Sequence, residues 1–157
     1  MAVKVISAKV SPTPSWHTRK DDTKILATRE CILSLVIEKN GKRMKVQVIF
    51  FEGFHCDGLS VPWGLRWFIP KWDDKNQLTN MAGAGHDWLY ATGGNYGMFN
   101  RSECDDIFRG ILREAGYNRF HASTADLMIG LFAGGKNHWE KDEYGASVFA
   151  KLEIVAC

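Results

Sequence analysis

Apolar and polar positions alternate with period two in four stretches of this chain. From Cys31 to Glu38, Leu33, Leu35 and Ile37 alternate with Ser34, Val36 and Glu38; from Arg43 to Phe51, Met44, Val46 and Val48 alternate with Lys45 and Gln47. That period predicts strands with one face buried and the other mostly wet. Between them lies Lys39-Asn40-Gly41-Lys42, and Asn-Gly tolerates the positive φ values of a type I′ turn, so the two runs should form a hairpin. Val3 to Val10 and Ser147 to Val155 are further strand candidates, the second alternating Val148, Ala150, Leu152 and Ile154 with Lys151 and Glu153. Both chain ends are therefore expected to join one antiparallel sheet.

A helical region is expected between these strands. Thr79 to Tyr90 is a short helix with Thr79 or Asn80 as N-cap and Gly93-Gly94 as its stop. Ser102 to Ala115 is a second, ended by Gly116, with Cys104, Ile107, Phe108, Ile111, Leu112 and Ala115 as its apolar stripe. Asp106, Arg109 and Arg113 lie opposite that stripe, where Asp106 is expected to be a solvated charge. Ser123-Thr124-Ala125-Asp126 has capping-box form and predicts a third helix from about Thr124 to Ala133, before Gly134-Gly135. Ser11 to Pro14 and Gly93-Gly94-Asn95 read as loops. Phe51 to Trp72, rich in Gly, Pro and large aromatics, reads as an ordered loop. Strands, then helices, then a closing strand give an α+β fold with an antiparallel sheet and about three helices.

Length and composition narrow this reading. A chain of 157 residues suits a single domain, and no repeat or linker divides it; 45% hydrophobic and 24% charged residues are the balance of a globular protein. The formal net charge is +2, and Lys and Arg are scattered along the chain, so no nucleic-acid partner is expected. The N-terminal segment has Lys4 inside a period-two stretch and reads as a strand rather than a signal peptide, and no apolar run approaches the roughly 20 residues that span a bilayer. Synthesis in the cytoplasm without membrane insertion is the expectation. Cys31, Cys56, Cys104 and Cys157 are widely spaced without a C-x-x-C pair, against a zinc ribbon, a dithiol redox site or a disulfide framework.

Candidate chemistry gathers on the first helix. His86 and Tyr90 are four residues apart and share a face, whereas Asp87 is displaced by about 100°. Gly83-Ala84-Gly85 leaves the preceding turn almost without side-chain bulk, so another helix or the Asp57 loop could approach it closely. Asp105 sits at the edge of the second helix's stripe, where a half-buried carboxylate needs a partner. If the two helices pack antiparallel, a ring nitrogen of His86 or the hydroxyl of Tyr90 satisfies it and sets the imidazole tautomer.

The ordered set Gly53-Phe54, Asp57-Gly58, Ser60-Val61-Pro62, His86-Asp87-Trp88-Leu89-Tyr90, Arg101, Asp105 and Phe108 resembles a family of small phage and prophage proteins carrying a domain of unknown function. The resemblance covers about Gly53 to Trp139. More distantly, His-Asp-x-x-Tyr on one helix followed by Asp on the next is similar to phospholipase A2, including the compact versions in some viral capsid proteins. That resemblance implies His86 as the general base activating water, with Tyr90 and Asp105 as its support. It implies calcium held by Asp87 with oxygens of the Asp57-Gly58 loop, stabilising the oxyanion of an attacked ester. The chain departs from the secreted enzymes in lacking the cysteine after the His-Asp pair, their disulfides and their calcium loop.

Other readings of the same residues stand beside this one. In a non-enzymatic virion protein of the tail or head, the His-Asp-Tyr-Asp set would simply lock two helices together. His55-Cys56-Asp57 with His86 could offer zinc ligands, and a phosphohydrolase of the His-Asp type would need further ligands that the sequence does not place. Trp63, Trp67, Phe68 and Trp72, with Arg66 and Lys71 among them, could meet a phospholipid surface, other virion proteins or a host factor, or could pack a loop onto the core. His121 and His138 read as ordinary loop-end residues.

Overall fold

A computed structural model of the chain describes residues 2–21, 23–56, 72–132, 139–140 and 148–155. Its framework is the predicted hairpin. Strands β4 (Glu30–Lys39) and β5 (Lys42–Phe51) pair in register from Glu30 opposite Phe51 to Lys39 opposite Lys42. Asn40 at φ 55° and Gly41 at φ 73° form the two-residue connection, and this left-handed pair matches the twist of the strands. On the hairpin's inner face Leu33, Leu35, Ile37, Val46, Val48 and Phe50 are buried. Ile49, on the opposite face, is also buried, so that face is not wholly wet.

Strand β1 (Val3–Ser11) pairs with β4, and β7 (Ala150–Val155) with β5, giving a four-stranded antiparallel sheet of order β1-β4-β5-β7 with the N- and C-terminal strands at its two edges. β1 carries its apolar residues out of phase, Val3 and Val5 first, then Ala8 and Val10. A register shift between Val5 and Ser7 resolves this, because Val5 faces Ile37 and Ala8 faces Leu35 across the ladder. The extra residue of a β-bulge changes the parity of the strand, so both apolar pairs reach the core side. β7 begins at Ala150, later than its alternation suggested; Val148 precedes it and is exposed, and Ile154 within it is also exposed. A second, three-stranded sheet was not legible in the sequence. β2 (Trp16–Thr18), β3 (Lys24–Leu26) and β6 (His55–Cys56) pair antiparallel in segments of two or three residues, too short to show a period.

Helices cover the inner face of the larger sheet. α1 (Gln77–Ala91) starts two residues before the expected caps, after Asn76, whose side chain makes no cap bond to the helix. The Asn76 amide instead donates to Ala115 O at the far end of α3, 2.7 Å away. A left-handed turn, α2 (Gly93–Gly97), follows and includes Asn95 and Tyr96 at φ 51° and 60°. α3 (Arg101–Glu114) opens with a full capping box between Asn100 and Glu103. It closes with Gly116 N–H donating to Arg113 O and Tyr117 N–H to Leu112 O, a Schellman ending with Gly116 at φ 108°.

α4 (Arg119–Phe132) starts well before the expected Ser123 signal. Asn118 Oδ1 accepts from His121 N–H at 2.9 Å and acts as the cap, which leaves Ser123 to Asp126 inside the helix. Two glycines set how closely the layers approach. A Cβ on Gly85 would lie 3.4 Å from Leu33 of β4, and one on Gly110 would lie 2.4 Å from Val5 of β1. The small turn around Gly85 thus packs onto the sheet. The observed architecture is α+β, as expected.

Candidate functional site

α1 and α3 run antiparallel, with Asn76 reaching Ala115 at one end and His86 reaching Asp105 nearer the other. At that level His86 Nε2 lies 2.9 Å from Asp105 Oδ1, and the Tyr90 hydroxyl donates to the same oxygen at 2.7 Å. The i,i+4 spacing stacks the two rings of α1, with centroids 4.2 Å apart, and Phe108 of α3 closes over His86 at 5.1 Å. His86 is 5% and Tyr90 6% exposed. Asp105 keeps 26% of its side chain accessible.

Burial pushes the Asp105 carboxyl up, but the hydrogen bonds from His86 and Tyr90, assisted by the charge of Arg109, outweigh that and hold it below the usual carboxylate range. An ionised Asp105 accepts both bonds, so Nε2 of His86 carries the proton. Nδ1 is then the nitrogen with a lone pair in the neutral ring, an assignment that follows from the hydrogen-bond network. The three residues expected to work together are therefore brought together. Such an array can orient an imidazole as a base, and it can equally join two helices.

Asp87 is half-buried on α1, turned about 100° from His86. Asp57 and Gly58, its expected companions for calcium, lie outside the described residues, as do Trp63, Trp67, Phe68 and His138. Among the described residues, no group of three or more His, Cys, Asp or Glu side chains gathers as a metal site. His55 sits on β6 with Nε2 2.6 Å from Oγ1 of Thr23, the residue before β3. Trp72 stands edge-on to Trp16 at 5.0 Å with Lys24 Nζ 5.4 Å above its ring, so this member of the aromatic run packs against β2 and β3.

Several contacts and a cleft escaped the sequence reading. Trp139 meets the Tyr90 ring edge-on at 5.2 Å, and Glu140 N–H donates to Tyr90 O at 2.7 Å. Beside them, a cleft of about 620 Å³ opens between the left-handed turn, Phe99, Asn100, Trp139 and Glu140. Asp106, expected to be solvated, instead accepts from Val3 N–H at 3.0 Å and pairs with Arg109, fastening the first strand to α3. Helical periodicity alone could not reveal a partner more than a hundred residues away.

Residues 34–128 match the sequence profile of the DUF1353 family, described as a protein of unknown function. The chain belongs to this family. The matched region begins within β4, includes the rest of the β4–β5 hairpin, α1 and α3, and ends within α4. It thus reaches further toward the N-terminus than the resemblance from Gly53 to Trp139, and it contains His86, Tyr90 and Asp105. No curated protein and no solved structure matches the chain.

Proposed function

We propose that this DUF1353 chain is a phage-encoded ester hydrolase, with phospholipid as substrate and His86 as general base. The carrying observation is the His86 Nε2 to Asp105 hydrogen bond, reinforced by Tyr90 on the same carboxylate oxygen. In this reading Nδ1 takes a proton from water as the water oxygen attacks the ester carbonyl. The ionised Asp105 stabilises the imidazolium that forms, and the proton then passes to the departing alkoxide. Asp105 and Tyr90 are positioning residues. Asp87 and the Asp57-Gly58 segment would hold calcium, which when bound supplies positive charge to the developing oxyanion. Trp63 and Trp67 would meet the lipid surface, and the chain would be made in the host cytoplasm and could enter the particle.

A second reading rests on a specific observation. His86 and Tyr90 are both nearly fully buried while bonding α1 to α3, the arrangement of a helix lock in a non-enzymatic virion protein.

Fatty-acid release from phosphatidylcholine vesicles, with calcium and with chelator, separates the two. His86→Gln is the informative variant, because its amide can still donate to Asp105 but cannot serve as a base. The hydrolase reading expects calcium-dependent release by the wild type and none by a folded His86→Gln. Absence of release with calcium, magnesium, manganese and zinc alike, or equal release by both proteins, leaves the helix lock.

A further inference from the structure

Gly93-Gly94-Asn95-Tyr96-Gly97 leaves the end of α1 through five consecutive residues of positive φ. Glycine and asparagine adopt this conformation readily, but an aromatic residue such as Tyr96 does so only at a cost that the surrounding structure must hold in place. Glu140, at φ 62°, lies in the same unfavourable region. Both residues line the cleft of about 620 Å³ beside the end of α1, together with Trp139 and Asn100. That volume is of the size that holds a small molecule, and strained residues gather where ligands are clamped.

The rings this cleft offers belong to Tyr96 and Trp139. Tyr96 is 84% exposed, and among the described residues its side chain has no hydrogen-bond or ring partner. Trp139 is half-buried and meets Tyr90 edge-on, a contact that covers at most one face of the indole. Phe99 also borders the cleft, but it is buried and already carries Lys39 Nζ 5.3 Å from its ring centre.

Glu140 is the only charged residue among the described residues that line the cleft, and among them its carboxylate has no ion pair. A Cβ on Gly93 would lie 2.9 Å from Glu140 Oε1, so the carboxylate rests against the C-terminal end of α1, where the helix carbonyls carry partial negative charge. Lys39 is committed to Met98 O and Glu103, and Arg101, which follows Asn100, does not line the cleft. A carboxylate beside a helix C-terminus attracts a cation. The neighbouring oxygens are already engaged: the Thr92 hydroxyl donates to Trp88 O and accepts from Asn95 N–H, and Asn100 Oδ1 accepts from Glu103 N–H. Beyond its one carboxylate the cleft therefore offers rings and few acceptors, which suits an alkylated ammonium better than a sugar or a primary amine.

We propose that this cleft binds a quaternary ammonium group, with Tyr96 and Trp139 against its methyl groups and Glu140 as the countercharge. The site uses none of His86, Asp87 or Asp105, so it stands apart from the hydrolase reading. Free choline and the headgroup of phosphatidylcholine share this chemistry.

Titration with choline at constant ionic strength, followed by the Trp139 indole N–H resonance, tests it. Saturable binding with a Kd of about 1 mM or tighter is expected. The uncharged analogue, in which a tert-butyl group replaces trimethylammonium, should bind at least about tenfold more weakly. Glu140→Gln should weaken choline binding about tenfold or more, and Tyr96→Ala about threefold or more. Both side chains are exposed, and unchanged circular dichroism would show each variant folded. Association with phosphatidylcholine but not phosphatidylglycerol vesicles, released by free choline, supports the proposal with a lipid as the source; choline binding without vesicle association supports it with a soluble cation. Absence of saturation by about 10 mM choline, equal affinity for the uncharged analogue, or binding indifferent to Glu140→Gln or to Tyr96→Ala would overturn it.

Discussion

Replacing Asp105 with asparagine keeps an oxygen in place but removes its charge. Two donors converge on Oδ1, His86 at 2.9 Å and Tyr90 at 2.7 Å, and both side chains are nearly inaccessible to water. Hydrogen bonds to a charged acceptor contribute about 1.5–3 kcal/mol each and neutral ones about 0.5–1.5 kcal/mol, so the substitution forfeits about 1 kcal/mol per bond. Because both bonds share one oxygen and Asp105 retains some solvent contact, the expected loss at neutral pH is about 1–2 kcal/mol. The pH dependence makes the test sharper. The Asp105 carboxyl ionises more readily in the folded protein than in the unfolded chain, so the unfolded state binds more protons in the acid range and stability rises with pH there. This contribution is fully present above the unfolded carboxyl value of about 3.9 and is lost as pH falls through the lower folded value. Urea denaturation of wild type and Asp105→Asn, from about pH 6 down to about pH 3, should show their stability difference shrinking toward acid. A difference that stays constant across that range, or an asparagine variant more stable at neutral pH, would refute the account of Asp105 as an ionised acceptor.

Two further outcomes follow from packing and burial. Gly110→Ala would gain about 1 kcal/mol in an exposed helix; here the new methyl group meets Val5 of β1 at 2.4 Å, so thermal denaturation should show a net loss of about 1–3 kcal/mol. Burial pushes the Cys31 thiol up to about 11 and the Cys104 thiol, with Asp105 and Glu103 adding to the effect, up to about 12. Both should resist alkylation at about pH 8 in the native protein and react at once in denaturant, as peptide mass spectrometry after labelling would show.

The features legible in the sequence are those whose causes are local. Alternation and the backbone preference of Asn40-Gly41 determined the β4–β5 hairpin and its turn, because both act within a few residues. The stripe from Cys104 to Leu112 and the Gly116 ending determined most of α3 in the same way. The i,i+4 spacing of His86 and Tyr90, with Asp105 at a stripe edge needing a partner, already indicated the triad once antiparallel packing was assumed. What tertiary structure decided depends on distant contacts. The bulge in β1 exists because two apolar pairs of opposite parity must both reach the core. The strands of the small sheet are stabilised by one another and not by any period of their own. α4 is capped by Asn118 although Ser123 carries an equally good local signal, and Asp106 is held by Val3 rather than by water.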